Sequence, residues 1–213
     1  MPINSRSDSY EALMWDVLCN VHGYLPRPGA RVLDLGAHFG MFSLYCAARG
    51  AEVTAVEPSK KALLELQHSK EVANAIGAGH IEIIPCAVWS EGRGMPLYER
   101  SDSSAAHTLM DSSTDKFEIV SARSLRAIMN YQTFDCVKVD IEGAEWEVFR
   151  VMEQEDFDRI RFLTIEIHND LLSLEKRREV GQKLIDAFPH HKIIPVQVNG
   201  VATEDVATLI CWR

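Results

Sequence analysis

The chain has 213 residues, 46% of them hydrophobic, with a formal net charge of −9 and a pI near 5.4. That length suits one compact domain whose sheet is covered by helices on both faces. The acidic balance argues against nucleic acid as a partner, since phosphate binding needs a basic face. No apolar run approaches the ~20 residues of a membrane span, and Pro2 to Glu11 lacks a signal peptide's apolar core. The five cysteines, Cys19, Cys46, Cys86, Cys136 and Cys211, are widely separated and sit mostly in apolar segments. They read as small core residues in a reducing, cytoplasmic setting.

In chain order, Asp8 to Val21 repeats apolar residues at Leu13, Val17, Leu18 and Val21, with Ser7 or Ser9 as cap, and predicts an amphipathic helix. Residues 1–28 are thus expected to form an N-terminal helical segment closed by Pro26 and Pro28, and 29–213 the main domain. Tyr10 and Trp15 would make that segment an apolar lid; the alternatives are packing on the sheet or on a second copy in a homodimer. Val32 to Leu35 reads as a buried strand. A glycine turn leads from it to a helix over Met41 to Ala48, and a second strand, Ala51 to Val56, ends at Glu57. Pro58 and Ser59 open a helix to about Gly77, and His80 to Val88 is a third strand. Ser90 to Asp115, rich in Ser and Asp, reads as an excursion or hairpin and not as a core element. A short helix over Ala122 to Met129, a fourth strand over Phe134 to Ile141 and a helix over Gly143 to Glu153 follow. Trp146 and Phe149 on that last helix are read as core. Arg161 to His168 is the fifth strand and Leu174 to Phe188 a helix. His191 to Val198 and Ala207 to Trp212 close the chain as a hairpin about Asn199-Gly200. The alternation predicts a doubly wound α/β sheet of seven mostly parallel strands in the order 3-2-1-4-5-7-6. Ligands are expected at the carboxyl ends of strands one and four, where the order reverses.

The turn favours one class of ligand, with a nicotinamide or a purely structural turn as the alternatives. A dinucleotide fingerprint needs glycine at position 38 to admit a pyrophosphate; here that residue is His38, in the pattern Asp34-x-Gly36-x-x-x-Gly40. Asp34 would repel a pyrophosphate but suits the cationic sulfonium of S-adenosylmethionine. Glu57, about 20 positions on, is placed to accept hydrogen bonds from ribose hydroxyls.

Two later strands carry charge. In the fourth, Lys138, Asp140 and Glu142 alternate with Val137, Val139 and Ile141 and so share a face. In the fifth, Glu166 and His168 share a face with Thr164. A Lys138–Asp140 ion pair, with Glu145 and Glu147 solvated on the next helix, is the purely structural explanation. The functional one makes Asp140, Glu166 and His168 a catalytic set, with His168 removing a hydroxyl proton. Alternatively Asp140, Glu166 and His168, with Asn169 or Asp170, would hold a divalent metal. Ser103, Ser104 and His107 in the excursion, and Glu142, are candidate substrate contacts.

Val137-Lys-Val-Asp-Ile-Glu-Gly-Ala-Glu145, together with Asp34-Leu-Gly-Ala-His-Phe-Gly40, Val56-Glu-Pro58, Ala87-Val88 and Ile165-Glu-Ile-His168, closely resembles the FkbM-type methyltransferases. The resemblance runs from about Arg31 to Asp170. It implies a Rossmann-like class I fold, S-adenosylmethionine as donor with S-adenosylhomocysteine as product, and O-methylation of natural products or saccharides. Carried over by position, Asp34, Gly36, Ala37, His38 and Gly40 would line the methionine end and Glu57 would hold the ribose. Pro58, Ala87 and Val88 would flank the adenine, and Asp140 would face the donor. His38 stands where many relatives have Asn. A metal-dependent O-methyltransferase and an N-methyltransferase are the alternatives, with a non-catalytic binding module behind them.

Overall fold

The computed structural model describes residues 23–99, 107–109, 116–168, 171–198 and 201–213. The expected N-terminal helix and lid therefore lie outside the described residues. The chain runs β1 (Arg31–Leu35), α1 (Met41–Ala47), β2 (Glu52–Val56), α2 (Lys60–Ile76), β3 (His80–Ile84), β4 (Ala87–Trp89), β5 (Arg93–Glu99), β6 (His107–Thr108) and β7 (Phe117–Ser124). It continues with α3 (Leu125–Met129), β8 (Cys136–Val139), α4 (Glu145–Phe149), α5 (Gln154–Phe157), β9 (Phe162–His168), α6 (Leu174–Ala187), β10 (His190–Val198) and β11 (Val201–Trp212).

The main sheet has seven strands in the order β3-β2-β1-β8-β9-β11-β10. Numbered within this sheet alone, that order is 3-2-1-4-5-7-6. Every neighbour is parallel except β11, which runs antiparallel to both β9 and β10. One face is apolar: Leu33, Leu35, Val137, Val139, Leu163, Ile165 and Leu209 pack against Met129, Phe149, Phe157 and Leu184 from the covering helices. Each such side chain contributes roughly 1.5–3 kcal/mol on leaving water. On the other face, Val32, Val53, Ala55 and Ile81 pack under Phe42, Cys46 and Leu66 of α1 and α2. The four described cysteines are free and buried.

Helix ends follow local chemistry. Ser59 caps α2 by accepting from the Ala62 amide, and Gly77 closes that helix in the left-handed region at φ 69. These are the boundaries the residues predict.

Four expectations are corrected. The third strand ends at Ile84, because Pro85 supplies no amide for the ladder and the chain then leaves the sheet. Ala87–Trp89 instead joins a second, four-stranded sheet, β4-β7-β5-β6. The excursion does hold a hairpin, β5 with β6, but it is a core element: Trp89, Met95, Leu97, Val120 and Ala122 bury together against Ala144. Ala122 to Ser124 belongs to β7, whose inward residues alternate, so only Leu125–Met129 is helical. The helix over Gly143 to Glu153 is two short ones, α5 starting where the Glu153 amide donates to Asp156 Oδ2 at 2.9 Å.

One contact fixes the tip of β1 to that of β8. Gly36 sits at φ 73, and a Cβ there would collide with the Asp140 backbone carbonyl. Gly77 has a similar φ but open space around it. Gly36→Ala should therefore cost more than about 3 kcal/mol in urea unfolding, and Gly77→Ala only the left-handed strain of about 1–2 kcal/mol. Equal losses would mean that the approach of the two strand tips does not dictate glycine at 36.

Candidate active site

The site begins with charge on the sheet. Asp34 and Lys138 are register partners on adjacent strands, so their side chains share a face. Asp34 is fully buried; its Oδ2 accepts from Ser43 Oγ at 2.6 Å, and its Oδ1 lies 3.5 Å from Lys138 Nζ. Lys138 Nζ also lies 3.3 Å from Asp140 Oδ2 and donates to the Gly36 carbonyl at 3.1 Å. Burial opposes the proton on the lysine, but the charges of Asp140 and Asp34 overcome it and hold the ammonium above its ordinary pKa. The Lys138–Asp140 pair of the structural explanation thus exists and extends to Asp34.

Glu57, at the tip of β2, is 6% exposed. Its two carboxylate oxygens accept from the Ser59 amide and the His38 amide, each at 2.8 Å. Burial pushes its pKa to about 7, against the pull of those two amides. The left-handed backbone of His38, φ 51, turns its amide toward Glu57. Each carboxylate oxygen keeps a second lone pair for a ligand. Gly40, at φ 79, caps α1, and a Cβ there would strike Leu66, so this glycine serves helix packing as well as the turn. Ala87 and Val88 are each 2% exposed, with their side chains in the cores.

At the tips of β8 and β9 the acids and the histidine meet. Asp140, Glu166 and His168 each offer a ligand atom, and these atoms lie within 4.8 Å of one another. His168 Nε2 is 3.6 Å from Asp140 Oδ1 and 3.4 Å from Glu142 Oε2. β8 ends at Val139 and Glu142 has φ 50, so Glu142 reaches His168 through the turn and not through strand alternation. His168 Nδ1 donates to Glu145 Oε1 at 2.8 Å, and Glu145 is fully buried. Glu145 is therefore not solvated as expected, whereas Glu147 is half-buried and pairs with Arg150 at 2.9 Å. The Glu142-Gly143 turn, φ 50 and 97, starts α4 beside β9; the Gly143 amide donates to Glu145 Oε1 at 3.2 Å. Along the chain, Glu145 looks like any acid in a helix's first turn.

Burial opposes the proton on His168, but the bond to Glu145 and the charges of Glu145, Asp140 and Glu142 raise its pKa to about 10. The charge of Asp140, then burial, pushes Glu166 to about 8 against Lys138. At neutral pH the imidazole is a cation in this state.

Of the expected substrate contacts, Ser103 and Ser104 lie outside the described residues, as do Asn169 and Asp170. His107 is placed by its backbone, paired with Glu99 in the second sheet. Its neighbour Thr108 links that sheet to the site, its Oγ1 donating to the Glu142 carbonyl at 2.7 Å. Thr108 was not singled out from the sequence.

Solved structures share this arrangement of strands and helices. Precorrin-6y C5,15-methyltransferase from Geobacter metallireducens GS-15 aligns with a TM-score of 0.51 at 10% identity, over 95% of this chain and 86% of that one. Magnesium protoporphyrin IX methyltransferase from Synechocystis PCC 6803, solved with bound S-adenosylmethionine, aligns at 0.53 and 12% identity, over 98% and 80%. A SAM-dependent methyltransferase from Agrobacterium tumefaciens aligns at 0.53 and 16% identity, over 95% and 61%. At such identities the likeness shows the fold alone, that of the class I S-adenosylmethionine-dependent methyltransferases. No curated protein sequence matches the chain. Residues 34–191 match the methyltransferase FkbM domain. The chain belongs to that family and is an S-adenosylmethionine-dependent methyltransferase. Among the described residues no helix is long and apolar enough to cross a membrane.

The shifted groups set a sign for pH dependence. Glu57, Glu166 and His168 all hold their protons more tightly folded than unfolded, where the ordinary values are 4.5, 4.5 and 6.5. Each contribution is full below the unfolded value and is lost as pH rises through the folded one. The melting temperature of the ligand-free protein should therefore fall from about pH 5 to about pH 10. His168→Gln should flatten the part of that curve between 6.5 and about 10. An unchanged slope in the variant would show that His168 is not held protonated.

Proposed function

We propose that the enzyme methylates a hydroxyl of a small molecule, a natural product or a saccharide. The observation that carries this reading is the buried Glu145–His168 pair facing Asp140 and Glu142 at the strand tips. A hydroxyl is a weak acid and gains from losing its proton as it attacks, whereas an amine attacks with its own lone pair. A positioned, carboxylate-supported histidine therefore favours an alcohol over an amine as acceptor.

The residues fit the donor. Asp34 Oδ1 is buried without a hydrogen bond, and the acids at the strand tips suit a cation. Asp34, Gly36, Ala37, His38 and Gly40 would hold the methionine end. Glu57, fixed by two amides, would present its free lone pairs to the ribose. Pro58 and the backbone around Ala87 and Val88 would bound the adenine. Bound S-adenosylmethionine supplies an already activated methyl group, so the protein's work is alignment and removal of one proton. Asp140 and Glu142 orient the acceptor, and Glu166 adds to the negative wall. His168 takes the hydroxyl proton at Nε2 once it has lost its own, and Glu145 steadies the imidazolium through Nδ1. Positive charge among these acids lowers the proton affinity of His168 and so readies it as a base.

Labelled methyl donor, incubated with a panel of sugars, polyols and macrolide-like alcohols and read by mass spectrometry, should yield an O-methylated product. Labelling of amines alone would replace this reading with N-methylation. His168→Ala should lower kcat by roughly 10²–10⁴-fold while calorimetry finds S-adenosylhomocysteine affinity nearly unchanged. Equal losses in both would make His168 a structural residue. Glu57→Ala should instead weaken S-adenosylhomocysteine by about tenfold or more.

A further inference from the structure

The peptide unit between Glu142 and Gly143 is held on both of its sides. Its carbonyl accepts from Thr108 Oγ1 at 2.7 Å, and its amide donates to Glu145 Oε1 at 3.2 Å. A peptide unit is planar, so a partner that fixes the direction of the carbonyl also fixes the direction of the N–H opposite it. The same Oε1 accepts from His168 Nδ1 at 2.8 Å. Glu145 is fully buried, and its other oxygen, Oε2, makes no hydrogen bond. The direction of this carboxylate therefore rests on the two bonds at Oε1.

The turn does not hold itself unaided. Glu142 has φ 50 and Gly143 φ 97. A non-glycine residue stays in the left-handed region only where its surroundings impose it, and Thr108 belongs to those surroundings. Thr108 is 2% exposed and reaches the turn from a different sheet. It is the register partner of Tyr98 on β5, and the core of that sheet packs against Ala144, the residue after the turn. The hydroxyl is thus carried on a braced strand, and its influence runs through one rigid peptide and one carboxylate to an imidazole on β9.

We propose that Thr108 is a positioning residue for methyl transfer: its hydroxyl sets the 142–143 peptide, that peptide sets the Glu145 carboxylate, and the carboxylate sets the imidazole of His168. The value of this to an attacking hydroxyl rests on the proton-acceptor role proposed for His168 above; the orientation of the ring does not. Valine has nearly the shape of threonine but no hydroxyl, so Thr108→Val takes a buried donor from the Glu142 carbonyl and loosens the peptide. Asp140 and Glu142 near Nε2, with Glu166 and Lys138 beside them, keep their charges in that variant.

NMR of the full-length protein carrying isotope-labelled histidine reads the ring directly, with His168→Gln to assign its signal. In Thr108→Val, His168 should titrate lower by about one pH unit, while calorimetry finds S-adenosylhomocysteine affinity nearly unchanged. Thr108→Ser restores the hydroxyl and should return the titration to that of the unsubstituted protein. Thr108→Ala, which asks the site to accept no methyl group in the hydroxyl's place, should shift it as Val does. On an alcohol that the acceptor panel shows to be methylated, kcat should fall roughly 10–100-fold in Thr108→Val and recover in Thr108→Ser. An unchanged titration in Thr108→Val and Thr108→Ala would overturn the proposal. An equal shift in Thr108→Ser would overturn it as well, by assigning the effect to packing and not to the hydroxyl. A shifted titration with unchanged kcat would leave the positioning in place and defeat the proton-acceptor reading of His168 instead.

Discussion

A desolvated ammonium on a central parallel strand is the constraint around which the rest of the structure is arranged. Lys138 sits where both faces of a sheet are normally apolar, and it persists because Asp34, Asp140 and the Gly36 carbonyl surround it. Removing one member of such a buried set strands the others, at about 3–5 kcal/mol. The pairing therefore does more than neutralise charge. It ties the tip of β1 to the tip of β8 at the point where strand order reverses, and the close approach of Gly36 to the Asp140 carbonyl completes the tie. The two strand tips that frame the ligand crevice are thereby held in one geometry.

The faces of the sheet divide the labour. On one, Leu, Val and Ile from β1, β8, β9 and β11 form the larger core with α3 to α6, and that burial stabilises the fold. The other face carries Asp34, Lys138, Thr164, Glu166, His168 and Thr208, all buried or half-buried. Such a polar layer adds little to stability and lowers it where hydroxyls such as those of Thr164 and Thr208 stay unpaired. Buried volume spent this way suits a ligand, and the carboxylates of Asp34 and Glu166 in that layer suit a cationic one such as S-adenosylmethionine.

How much of this was legible follows from the range of each signal. The glycine turn, Glu57 and the alternation in β8 and β9 are local patterns of period two or fixed spacing, and the structure brings Asp140, Glu166 and His168 together as that alternation implies. The seven-strand order follows from the alternation of strands and helices, which short right-handed crossovers constrain tightly. The second sheet was hidden because β4 and β6 are very short and Gly94 and Pro96 interrupt β5, so the alternation of Met95 and Leu97 stood out weakly from the surrounding Ser and Asp. Glu145 was hidden for a different reason. Its burial depends on two positive φ values at Glu142 and Gly143, and no periodicity of the following helix records where that helix begins in space.

The histidine shows why geometry alone does not settle a role. In the proposed reaction His168 would accept a hydroxyl proton, yet the same carboxylates that orient it also charge it, to a pKa of about 10. An imidazolium accepts nothing. The acids would have to be quenched before His168 could act, and only positive charge in the crevice quenches them. The same carboxylates that make His168 a poor base by itself therefore suit the sulfonium of S-adenosylmethionine. Proton affinity and cation affinity are two expressions of one field, so arrival of a cation and readiness of the base are coupled by the electrostatics of the strand tips, with no conformational change required.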